Sequence, residues 1–145
     1  MQCKKVFWGV KSSTQHISSI SNGSAIPLRL QGQSSKNGTG RVEVFYNGKW
    51  GQICNDSWDL DDARVVCREL GYKYALRILQ NDEVRNGRGP VWLDQVACSG
   101  NERNLTTCSH RGWGNKICRN GKPAGVECSF TGELILSLIT NNMKL

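Results

Sequence analysis

A chain of 145 residues with 38% apolar residues holds one domain with a small core, and it carries seven cysteines. Six of them lie between Cys54 and Cys128; a short chain that concentrates cysteine in this way stabilises itself covalently where thiols stay oxidised, which excludes most intracellular functions. The formal net charge of +7 favours anionic partners through long-range attraction and says nothing about fold.

In chain order, residues 1–25 are Ser-rich and polar and read as a linker or disordered lead-in. Ile26-Pro27-Leu28-Arg29-Leu30 alternates like an opening strand, and Gly32 to Gly40 is a Ser/Gly/Asn loop. A hairpin follows. Val42, Val44 and Tyr46 share one face, Asn47-Gly48 supplies a two-residue type I′ turn, and Lys49 to Cys54 returns. One helix is well marked: Asp59 caps it, Asp61 and Asp62 occupy its first turn, and Gly71 stops it. Ala63, Val66, Cys67 and Leu70 give it one buried stripe. Tyr72 to Ser129 is a series of short strand candidates, of which Val91-Trp92-Leu93 is the clearest. Residues 130–145 read as a trailing linker or frayed end, with Leu134-Ile135-Leu136 a candidate edge strand.

The cysteine spacings lack the short C-x₂₋₄-C pairs of structural zinc sites, so disulfides are the better reading. Six cysteines allow fifteen pairings, and spacing cannot choose among them. The ten-residue period of Cys98, Cys108, Cys118 and Cys128 joins dissimilar segments and is accidental; Cys3 stands outside the cluster. Sequons at Asn22, Asn37, Asn55 and Asn104 fit secretion and glycosylation. The longest apolar run, Leu134 to Ile139, is far short of the ~20 residues a spanning helix needs. Val6 to Val10 is too short for the apolar part of a leader, so the chain reads as a piece of a longer protein or one with a mis-set start.

These segments resemble a known family. Gly40-Arg41-Val42-Glu43-Val44, Gly48-Lys49-Trp50-Gly51, Cys54-Asn55-Asp56-Ser57-Trp58-Asp59-Leu60, Ala63 to Tyr72, Gly89-Pro90-Val91-Trp92-Leu93-Asp94, Cys98-Ser99-Gly100-Asn101-Glu102, Gly112-Trp113-Gly114 and Ala124 to Ser129 follow, in order, the motifs of the scavenger receptor cysteine-rich (SRCR) domain. The resemblance runs over residues 26–129, and six cysteines resemble its group A. It implies an α+β fold, a small disulfide-rich domain in which a curved antiparallel sheet cradles one main helix. It also implies the pairs Cys54–Cys118, Cys67–Cys128 and Cys98–Cys108.

The resemblance further implies a ligand-binding face, often with calcium held by the two residues after the first cysteine and by the Glu of C-x-G-x-E: here Asn55, Asp56 and Glu102. Calcium takes six to eight oxygens, mostly carboxylate, and Asn55 replaces one acid, so such a site is weak; the bland reading is a solvated loop. Asp59, Asp61 and Asp62 extend that face or, more simply, cap the helix. Arg77, Arg85, Arg88, Arg103, Arg111, Lys116, Arg119 and Lys122 are candidates for polyanionic ligands, against the reading of a solvated charged surface. Lys122-Pro123 stands where the family often has Glu-Asp, which makes that edge more basic. Trp50, Trp58, Trp92 and Trp113 are expected in the core rather than as sugar platforms. Neither His16 nor His110 lies in a catalytic motif.

The expectation is an extracellular, non-catalytic module of scavenger-receptor type, a secreted domain or a receptor ectodomain as in innate immunity, that recognises polyanionic or protein ligands, with calcium as an assisting ion. It has no specific nucleic-acid partner and meets a membrane only through a parent chain. The alternative is an accessory domain of a larger secreted or membrane-bound enzyme, a protease or amine oxidase.

Overall fold

The computed structural model describes residues 25–131. Asn22, Cys3 and the Leu134–Leu136 strand candidate lie outside the described residues. Six strands and one helix make up the domain: β1 (Leu28–Gln31), β2 (Thr39–Tyr46), β3 (Lys49–Ile53), α1 (Leu60–Glu69), β4 (Tyr74–Ile78), β5 (Val91–Leu93) and β6 (Gly125–Ser129). Three single turns of 3₁₀ helix, Ser35–Asn37, Asn81–Glu83 and Leu105–Thr107, punctuate the loops.

The strands form one curled sheet in the order β4-β6-β2-β3-β5, with β1 also on β2. β2 is the hub, because its eight residues pair antiparallel with β1, β3 and β6 in turn. The expected antiparallel sheet holds for these and for β4 on β6, while β5 pairs with β3 in parallel. That exception follows from connectivity. The chain leaves β3, traverses α1 and β4, and returns to the β3 edge in the same direction, as a parallel partner needs a long crossover.

The β2–β3 hairpin turns at Asn47 and Gly48 with φ of 50° and 80°, the two positive values a type I′ turn demands. α1 starts in a reciprocal capping box. Asp59 accepts from the N–H groups of Asp61 and Asp62, and Asp62 accepts from that of Asp59 at 2.8 Å. Gly71 (φ 94°) follows its end. The helix lies on β4 and β6, and Ala63, Val65, Val66 and Cys67 are buried there with Val42, Val44, Ile53, Leu93, Val96, Leu105 and Val126.

Disulfides join Cys54 to Cys118, Cys67 to Cys128 and Cys98 to Cys108, the pairs the family resemblance implies. The second ties α1 to β6, and so clamps the helix to the sheet. The tryptophans divide. Trp58 and Trp92 are buried, each donating its indole N–H to a carbonyl, that of Gly125 and that of Lys49. Trp113 is half-buried, packed against the core and stacked on Tyr46 at 4.2 Å, whereas Trp50, contrary to expectation, lies outside the core with Arg29 over its ring at 4.2 Å.

Candidate functional site

Where β3 ends, the chain is held to the segment before β6. The N–H of Ala124 donates to the Ile53 carbonyl at 2.7 Å, the N–H of Asn55 to the Lys122 carbonyl at 3.1 Å, and Cys54 is bonded to Cys118. The Asn120 amide then donates to Oδ1 of Asn55 at 2.6 Å. The loop after the first cysteine therefore faces residues 118–123, which meet it through the Lys122 carbonyl and the Asn120 amide, while the Lys122 ammonium turns to Asp82 at 3.0 Å.

Glu102 is engaged elsewhere. Its carboxylate accepts from the N–H of Ser99 at 2.8 Å and of Gly100 at 3.0 Å, and these bonds hold its carboxyl below the usual range. Arg68 fixes the same turn by donating to the carbonyls of Gly100 and Glu102.

The residues expected to gather round calcium thus sit beside different disulfides, Asp56 at Cys54–Cys118 and Glu102 at Cys98–Cys108. Sulfurs already bonded to each other offer no thiolate to a metal. Among the described residues no three carboxylates bring an oxygen within 4.8 Å of one another. Asn55 Oδ1 already accepts from Asn120, and the Glu102 carboxylate from the N–H groups of its own turn, so a calcium ion, which requires several converging oxygens, would compete with these donors.

The eight candidate cations separate into three groups. Arg77 is bound by Glu83 and Glu127, both at 2.7 Å, and Lys122 by Asp82 at 3.0 Å. Arg111 and Lys116 lie 3.6 and 3.9 Å from the carboxylate of Asp94, beyond hydrogen-bond distance. Arg85, Arg88, Arg103 and Arg119 are exposed and have no acidic partner among the described residues. Arg111, Lys116 and Arg119 share one concavity with Asp56 and Asp94, while Arg88 lines a second groove with Arg29, Arg41 and Trp50.

Two buried acids organise these surfaces, and the sequence reading missed both. Glu43 accepts from Arg29 at 2.7 Å and from Arg41 at 2.9 Å. Arg29 is its cross-strand partner, a pairing visible only once the β1–β2 register is known. Asp94 follows β5 directly and is the floor of the concavity.

Of the sequons, Asn37 is exposed in a 3₁₀ turn and Asn55 is half-buried beside Asn120. Asn104 is half-buried too, its Oδ1 accepting from Oγ1 of Thr106 at 3.1 Å.

One helix on a curled mixed sheet, three disulfides and charged loops at the surface define a class: the small, covalently stapled extracellular α+β domain. Within that class, the chain belongs to the scavenger receptor cysteine-rich domain family, whose model matches residues 31–129. It is 42% identical over 128 residues to lysyl oxidase homolog 2 of Bos taurus, covering 83% of this chain and 16% of that protein. The third SRCR domain of murine neurotrypsin is similar in structure, with a TM-score of 0.62, 44% identity and coverage of 71% and 95% of the two chains. The SRCR domain of mouse MARCO, in its dimeric form, gives a TM-score of 0.58, 46% identity and coverage of 70% and 93%. The domain is extracellular and itself non-catalytic. Among the described residues no helix is long and apolar enough to cross a membrane.

Proposed function

We propose that this domain is a binding module for polyanionic extracellular ligands, working through loop cations and without calcium. The observation that carries the reading is the set of arginines without acidic partners, Arg85, Arg88, Arg103 and Arg119, on a scaffold locked by three disulfides. A guanidinium free of a carboxylate keeps its fork of donors for sulfate, phosphate or carboxylate groups. A locked scaffold loses little conformational entropy when it binds.

The test is retention of the oxidised chain on immobilised heparin at physiological salt, run with calcium and then with EDTA. Retention unchanged by EDTA is the expected result. Passage without retention contradicts the polyanion reading, and loss of retention in EDTA contradicts the calcium-free mechanism.

A second reading concerns the parent. The match to a lysyl oxidase homologue that spans only 16% of that relative favours a non-catalytic accessory domain of a larger secreted enzyme. Such a domain would bring substrate surface to a catalytic unit elsewhere. Sequencing the full transcript tests this: a downstream amine oxidase domain supports it, and tandem SRCR copies with a membrane anchor contradict it.

A further inference from the structure

The concavity between the loop after β3, the turn after β5 and residues 111–119 differs from the rest of the charged surface. Its floor is Asp94, whose side chain is 8% exposed. One of its oxygens, Oδ1, is buried without a hydrogen-bond donor. Arg111 and Lys116 approach that carboxylate from above, held by charge but not bonded to it, and Lys116 also donates to the Arg111 carbonyl at 3.2 Å. A buried carboxylate in this position fixes where two cations stand and leaves most of their donors unused.

The walls carry a second mark. Ser57 and Gln95 both adopt left-handed backbone conformations, with φ of 70° and 53°, and their side chains meet at 3.2 Å. Non-glycine residues seldom hold that conformation unless the surroundings over-determine it, and such residues cluster at binding sites. Arg119, without an acidic partner among the described residues, completes the rim.

We propose that this concavity is a sulfate-ester subsite: Arg111, Lys116 and Arg119 bind one sulfate group of a sulfated glycan, with Asp94 as the positioning residue beneath them. Three cations against Asp94 and Asp56 leave a net positive site. Ser57 and Asn115 on the lining add neutral polar groups suited to the remaining oxygens of a tetrahedral anion. The inference rests on the polyanion reading above and narrows it to one place and one chemical group.

The experiment titrates the full oxidised chain with a heparin octasaccharide and with its fully desulfated, carboxylate-retaining form. Arg111→Ser/Arg119→Ser is compared with Lys36→Ser/Lys73→Ser, which removes equal charge at two exposed positions given no part in binding. All four side chains are exposed, and an unchanged melting temperature verifies that each variant is folded. The subsite predicts at least a tenfold loss of octasaccharide affinity in the first variant, at most threefold in the second, and no binding of the desulfated form. It also predicts amide shifts at Ser57 and Gln95 on titration. Equal losses in the two variants, or equal binding of the desulfated sugar, overturn the subsite while leaving polyanion binding intact. No binding by the unaltered chain overturns both.

Discussion

Asp62 accepts hydrogen bonds from the backbone N–H groups of Asp59 and Cys98 at 2.8 and 2.7 Å, yet burial pushes its carboxyl up from 3.8 to about 6. Desolvation of the charged form is the larger effect, and the two N–H donors and nearby Asp59 modify it. Glu69, half-buried while accepting from Leu105, is shifted the same way by desolvation. A carboxyl raised on folding makes the folded state bind protons more readily than the unfolded one. Its stabilising contribution is therefore complete below the unfolded value and is lost as pH climbs through about 6. Glu83 and Glu102, both lowered, have the opposite sign, but they act below their ordinary 4.5. The melting temperature should therefore fall between pH 5 and pH 7, and Asp62→Asn should flatten that fall. A slope identical in the variant contradicts the assignment. Asp62 was legible in the sequence as a capping residue. Its bond to Cys98 was not, because it spans 36 positions and depends on where the Cys98–Cys108 loop lies.

At the scale of elements, α1 and the β2–β3 hairpin were legible because their signals are local. Asp59, Asp61-Asp62 and Gly71 mark the helix, and Asn47-Gly48 marks the turn, each within a few residues of the feature it sets. The capping box supports a direct prediction. Asp59→Ala should cost about 1 kcal/mol in urea unfolding through loss of both N-terminal acceptor bonds; a change below a few tenths would show that the helix is held by Cys67–Cys128 and its buried face alone. The parallel β3–β5 pair was not legible. Three residues, Val91 to Leu93, read as a strand from composition, and their partner and direction come from packing. Trp92 lies against Gly51, where an added Cβ would collide with the indole. The contact made by Asn55 was not legible either, since its partner Asn120 lies 65 positions away.

Across the whole molecule, long covalent loops offset what a small core lacks. Cys54–Cys118 and Cys67–Cys128 span 64 and 61 positions, and Cys98–Cys108 spans 10. Loop-closure entropy assigns about 4 kcal/mol to each of the first two and about 3 kcal/mol to the third. Replacing Cys67 and Cys128 by serine should therefore lower stability by more than replacing Cys98 and Cys108, measured by denaturant midpoint, and the reverse order would contradict the entropic account. The pairing itself lay beyond spacing and entered through family resemblance. The sorting of cations into paired and free lay beyond both, because it depends on acids such as Asp82 and Asp94 that loops carry to them. The central claim is that a few of these loop cations read sulfated polyanions. Its most direct measurement is the dissociation constant for a heparin octasaccharide over a series of salt concentrations. The account predicts binding at physiological salt that weakens with a log–log slope of about 2–3, as expected when roughly three cations release counterions. A slope near zero, or no binding under those conditions, would contradict it.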